Sequence, residues 1–146
     1  GLPASAALFR AGLIGIFYEG KKIHNLYFLR TGECGFTLSA RFNKFKYITI
    51  DEGAYFGLTD IVGSLLNLPD CDIEHALNNW ISSEAADGQF NVGTQSNVEL
   101  LTLPIDQLWN MRTEFIEAYE GLMGEAYDYL DICHARKLNA IKYCEA

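Results

Sequence analysis

The chain has 146 residues, with 11 Lys and Arg against 19 Asp and Glu, and a formal net charge of −8. That length suits one domain, residues 1–146, with a core of its own. A content of 49% hydrophobic and 21% charged residues excludes a disordered chain. The acidic balance excludes a free binder of nucleic acid or anionic membrane, since each requires a basic face.

The charge is unevenly spread. Lys and Arg stop at Lys46 and resume at Arg112, while Asp51, Glu52, Asp60, Asp70, Asp72, Glu74, Glu84, Asp87, Glu99 and Asp106 lie between. An anion bound by this stretch must rely on backbone N–H groups or on cations brought from elsewhere. The longest apolar run, 11–18, is interrupted by Gly12 and Gly15 and is too short to cross a bilayer. No signal peptide precedes it. Gly1 and the abrupt start read as the edge of a segment cut from a larger chain. Cys34, Cys71, Cys133 and Cys144 form no CxxC pair, so free and mostly buried thiols are expected.

The first half reads as strands. Residues 25–30 (NLYFLR) are β-prone and end at the turn Thr31-Gly32-Glu33. Residues 34–39 (CGFTLS) and 45–50 (FKYITI) follow, the latter broken by Asp51-Glu52-Gly53. Phe56-Gly57 opens a short helix over 58–66, ending before Pro69. Residues 68–88 read as an acidic insertion, in which Ile73, Ala76, Leu77 and Trp80 share a helical face. Residues 90–92 and 98–103 are strands again, joined by Gln95-Ser96-Asn97. Pro104 fits a first helical turn, with Ile105, Leu108 and Trp109 on one face. A longer helix runs over 114–143, with Phe115, Tyr119, Leu122, Ala126, Leu130 and Cys133 at i, i+3/i+4 spacing. The expected fold is α+β: an antiparallel β-roll or jelly-roll barrel over about 6–103, a short cassette helix, and C-terminal helices over about 104–145.

Several motifs carry a family resemblance. Glu19-Gly20, Leu26-Tyr27-Phe28-Leu29 and Gly32-Glu33 match one run, and Gly53-Ala54-Tyr55-Phe56-Gly57 matches a "G.YFG" cassette opening. Asn91-Val92 and residues 98–103 match a closing strand pair. In this order, over about 6–130, the chain resembles the cyclic nucleotide-binding domain family. Within it, the chain is most similar to C-terminal domains of ion channels of ciliate type, although the family's N-terminal helix is largely missing.

The resemblance implies a pocket at Phe56, Gly57, Leu58, Thr59, Asp60, Gly88, Gln89 and Phe90. Cassette amides there would face a cyclic phosphate, as at any helix N-terminus that holds an anion. Two side chains the family uses are absent. The Glu expected after Phe56-Gly57 is Leu58, and Gly88-Gln89 stand where Arg-Thr belongs. A charge-assisted hydrogen bond contributes roughly 1.5–3 kcal/mol and the ribose contact about 1 kcal/mol, so affinity for cAMP or cGMP falls by about two to three orders of magnitude.

The resemblance further implies a non-enzymatic regulatory domain on the cytoplasmic side of a membrane channel. The rest of that channel is its partner, and the full-length protein is a homotetramer. No membrane insertion by this segment, no nucleic acid and no cofactor are implied. The rival reading is a working sensor of a cyclic nucleotide or an uncharged nucleoside. Some family members fill the pocket with their own chain, and Tyr143 is the candidate here.

The remaining features have bland readings. Asp60 reads as a solvated or capping carboxylate. Arg136 and Lys137 read as exposed helix-end residues rather than a cation swung over the pocket. His24, His75 and His134 lack partners at metal spacing, so no metal site is expected. Ser82-Ser83 lack a nucleophile elbow. Asp70-Cys71-Asp72 lack calcium-loop spacing.

Overall fold

The computed structural model describes residues 5–9, 15–66, 86–94 and 96–146. The motifs at Asp70-Cys71-Asp72, His75, Trp80 and Ser82-Ser83, and most of the 68–88 insertion, lie outside the described residues.

The described strands are β1 (Ser5–Phe9), β2 (Lys22–Ile23), β3 (Asn25–Thr31), β4 (Cys34–Thr37), β5 (Lys46–Ile50), β6 (Tyr55–Phe56), β7 (Ala86–Asp87), β8 (Asn91–Gly93) and β9 (Val98–Pro104). The helices are α1 (Leu58–Leu66), α2 (Ile105–Glu114) and α3 (Ile116–Glu145). One sheet runs β1-β9-β3-β6, a second runs β5-β4-β8, and β2 pairs with β7. Every pairing is antiparallel. The fold is thus an α+β β-roll with C-terminal helices. Among the described residues its sheets do not close into a barrel.

The core is built from the buried positions of the strands, which alternate on β5 but not on β3. Leu26 is buried and Leu29 fully so on β3, Ile48 and Ile50 on β5, and Val98 and Leu100 on β9. Phe17, Phe36, Phe56 and Phe90 come from four separate segments and meet in the same core. Phe17, Tyr27 and Phe56 stack with centroids 5.2–6.2 Å apart. Each fully buried side chain of this size contributes about 1.5–3 kcal/mol. Helix α3 adds Tyr119, Met123, Ala126, Leu130 and Cys133 from one face, whereas Phe115, expected on that face, is exposed at the helix break and Leu122 is only half-buried.

Three local differences have clear causes. Pro104 closes β9 opposite Asn25 instead of entering the helix, and α2 begins at Ile105, whose N–H donates to the His24 carbonyl. The longer helix starts at Ile116 rather than 114, because Glu114 still belongs to α2 and the two expected helices part at Phe115, at φ −135° and ψ 57°. Ala86 and Asp87, read as part of the insertion, form β7 against Lys22 and Ile23. A two-residue strand leaves too little alternation to be seen in a sequence. Cys34, Cys133 and Cys144 are unpaired thiols, the first two buried. No helix of the described residues is long and apolar enough to cross a membrane.

The turn after β3 depends on Gly32. Its φ is +95°, and a Cβ there would lie 2.5 Å from the Asn97 carbonyl oxygen and 2.7 Å from Val98 Cγ1. Gly20 has a similar φ of +79° but open space around it. Gly32→Ala is expected to lose about 2–4 kcal/mol and Gly20→Ala about 1 kcal/mol, as measured by urea unfolding. Equal losses would show that the close approach to Asn97 is unimportant.

Candidate functional site

Gly57, at φ +100°, turns β6 into α1, and its carbonyl accepts the first helical bond from the Ile61 N–H. The N–H groups of Leu58, Thr59 and Asp60 therefore sit in the first turn, where a helix lacks internal acceptors. Leu58 and Thr59 are buried, and Asp60 is fully buried at 0% exposure.

Asp60 is the organising group. Its Oδ1 accepts the Gln89 N–H at 2.6 Å and the Phe90 N–H at 3.0 Å. One turn later, Ser64 Oγ accepts the Asp87 N–H at 3.1 Å. Asp60 and Ser64 lie on the same helix face at i, i+4. They stitch α1 to the segment between β7 and β8, and Gln89 Nε2 completes the turn by donating to the Asp87 carbonyl at 3.0 Å. Gly63 permits this closeness, since a Cβ there would stand 2.7 Å from Gln89 Cγ. The expectation of a solvated Asp60 is therefore corrected. The carboxylate caps backbone amides inside the protein, because the chain before β8 folds over it.

The same packing explains Gly88. A Cβ on Gly88 would run into the Tyr18 carbonyl oxygen. Its N–H donates to the Lys21 carbonyl at 2.9 Å, and its carbonyl accepts the Gly20 N–H at 2.9 Å. The position where the resemblance would put Arg thus has no room for a side chain.

A cavity of about 430 Å3 lies between the cassette and α3. Phe56, Leu58 and Thr59 line it together with Phe36, Ile48, Ile50, Ala54, Ala126 and Tyr129. Its charged lining residues are Asp51 and Glu125, with no Lys, Arg or His among the described ones. The Tyr55 hydroxyl donates to Glu125 Oε2 at 3.0 Å and ties α3 to the cassette. Asp60, Gly88, Gln89 and Phe90 do not line this cavity. Of the eight expected residues, three thus stand on a cavity wall, four form a hydrogen-bonded seam behind it, and Gly57 forms the turn into α1. A second cavity of about 450 Å3 lies against β4 and β8, includes Lys44 and Lys46, and holds none of the eight.

Two expectations about α3 change. Tyr143 does not fill either cavity. It is 71% exposed, with its ring 5.6 Å from that of Phe45. α3 runs on past the cavity as a regular helix, which carries Tyr143 about 21 Å along the axis from Tyr129. Lys137 is not free in solvent but pairs with Glu19. Neither Arg136 nor Lys137 lines the cassette cavity. Among the described residues, no three His, Cys, Asp or Glu side chains gather as metal ligands do.

The electrostatics follow from burial. Desolvation pushes the Asp60 carboxyl up to about 7, against the pull of the Gln89, Phe90 and Asp60 amides and with a further push from Glu19. Burial first, and then the nearby Asp60, pushes the Cys133 thiol up to about 12. The Tyr47 hydroxyl is raised by burial and by its Cys133, Glu19 and Asp60 neighbours. Sequence reading missed Ser64, Glu19 and Tyr47. Ser64 alone had a signal, since it stands one helical turn from Asp60.

No protein-family model and no curated protein matches the sequence. Solved structures match the fold. A transcriptional regulator from Thermotoga maritima aligns with TM-score 0.62 at 12% identity, over 91% of this chain and 88% of its own. The C-linker and cyclic nucleotide-binding homology domain of the zELK channel, crystallized in the presence of cAMP, aligns with TM-score 0.57 at 10% identity, over 86% of this chain. The Thermus thermophilus catabolite activator protein aligns with TM-score 0.53 at 16% identity, over 93% of this chain. This chain spans 52% of each of the last two structures. The chain has the fold of cyclic nucleotide-binding domains, as its motifs suggested.

A raised carboxyl pKa has a defined effect on stability. Between about pH 4 and pH 7 the unfolded chain releases the Asp60 proton while the folded chain retains it. Stability from this group is therefore greatest in acid and falls as pH rises through that window, by at most about 4 kcal/mol. Asp60→Asn keeps an oxygen for both amides and carries no charge. Urea unfolding from pH 4 to pH 8 is expected to show the variant gaining on the wild type as pH rises. Parallel profiles would contradict the buried acid.

Proposed function

We propose that the chain is a non-enzymatic regulatory domain on the cytoplasmic side of a membrane ion channel, and that it works without cAMP or cGMP. The observation that carries this is the charge of the cassette cavity: its walls are apolar, its charged groups are Asp51 and Glu125, and Gly88 leaves no space for an anion-pairing side chain. A cyclic phosphate placed there would be desolvated beside carboxylates with no cation to compensate it, which outweighs what amide dipoles return. The domain instead couples its parent channel, or a segment of that channel, to gating through the contact between the cassette and α3. The channel context rests on the resemblance of the motifs and on the fold shared with the zELK homology domain. The parent is a homotetramer in this reading.

A second reading is favoured by the same cavity. Its 430 Å3 volume and apolar wall suit an uncharged ring such as a nucleoside. Thermal unfolding and calorimetric titration with cAMP, cGMP and adenosine separate the two. No response to either cyclic nucleotide at about 1 mM is expected, whereas a ligand at 100 times its Kd would add about 2.7 kcal/mol. Micromolar affinity for cAMP or cGMP would overturn the main reading. A response to adenosine alone would favour the second.

A further inference from the structure

We infer that the Asp60 carboxyl is the chain's own occupant of an oxyanion site, so that the domain is held by its sequence in an occupied state. The inference rests on the reading that no cyclic nucleotide fills the domain, and it names what takes the place of an anion. The observations are geometric. The Gln89 and Phe90 amides converge on one oxygen, at 2.6 and 3.0 Å. Successive backbone N–H groups that converge on one point are an arrangement that holds phosphate or sulfate in many proteins.

The occupant is a carboxyl group with two oxygens rather than a small polar cap. Asp60 is 0% exposed, and among the described residues its Oδ2 has no hydrogen-bond partner. Buried charges ordinarily pair with a cation. Here the nearest charged groups offer none. Glu19 adds like charge and is itself taken up by Lys137, Tyr47 and Cys133 are neutral neighbours, and His134 faces the Phe90 ring at 4.9 Å. Backbone dipoles alone hold the group, as they would hold a bound oxyanion.

The seam also has an output. Phe90 carries the anchored amide and packs on His134, and Glu19 beside Asp60 pairs with Lys137. Both contacts reach α3, so the occupancy of the amides is read by the C-terminal helix. The class of ligand that would compete for the site is a small oxyanion.

The test removes the occupant and supplies an external one. Asp60→Ala, Asp60→Asn and the wild type are unfolded thermally in sodium phosphate, with sodium chloride at matched ionic strength as the control for general salt effects. Asp60→Ala is expected to melt lower than the wild type and to regain stability saturably with phosphate, with apparent affinity at least about tenfold above that of the wild type. Asp60→Asn keeps an acceptor on the amides and is expected not to respond. An identical response of wild type and Asp60→Ala overturns the inference, as does an Asp60→Ala chain that stays unfolded in saturating phosphate. The wild type gives a readout that does not depend on variant folding. Its Gln89 and Phe90 amide resonances are expected to stay in place during the phosphate titration, and movement of either overturns the inference. Binding of cAMP by the wild type would defeat the proposed function without producing the Asp60→Ala result, so the two failures are distinct.

Discussion

The arrangement of this domain depends on one buried carboxylate. Asp60 accepts two backbone N–H groups from the segment before β8 and is closed off from water. A charge in that position is costly unless dipoles surround it. The two amides offset part of that cost and burial raises the group to about 7, and the consequences spread outward. The 87–90 segment must lie flat on α1, Gly63 and Gly88 must lack side chains where the chains approach, and Phe90 must point into the core.

The same constraint separates two functions that are usually joined. In an anion-binding pocket, the amides that hold a phosphate and the wall that surrounds the rest of the ligand form one surface. Here the amides are engaged with Asp60, while Phe56, Leu58 and Thr59 remain on the wall of a cavity shared with α3. The cavity keeps its link to the helix through Tyr55 and Glu125. The cassette thus keeps its contact with the C-terminal helix, while the cavity beside it carries Asp51 and Glu125 as its charged lining residues.

Much of the fold was legible in the chain. Residues 25–30 and 34–39 read as strands and 45–50 alternate, and β3, β4 and β5 fall on them with ends shifted by one or two residues. The helix over 58–66 and the periodic face of α3 were equally visible, because burial on one side leaves a regular imprint. β2 and β7 were not visible, since a two-residue ladder is set by what it pairs with rather than by its own pattern. Tyr143 illustrates the same limit. Nothing in its neighbourhood says how far a helix will carry it from a cavity whose other walls lie nearly a hundred residues earlier.

The sequence by itself determined the charge of this protein's central stretch, and with it the absence of a cation between Lys46 and Arg112. It determined where β3, β4, β5, β8 and β9 lie along the chain and the cassette motif as well, because these are local patterns of glycine, aromatic and β-branched residues. Only the tertiary structure decided what Asp60 does. A carboxylate in a sequence has no intrinsic environment. Its burial, its partners at Gln89 and Phe90 and its raised pKa arise when a segment some 30 residues away folds over it, so its role is a property of the packed fold.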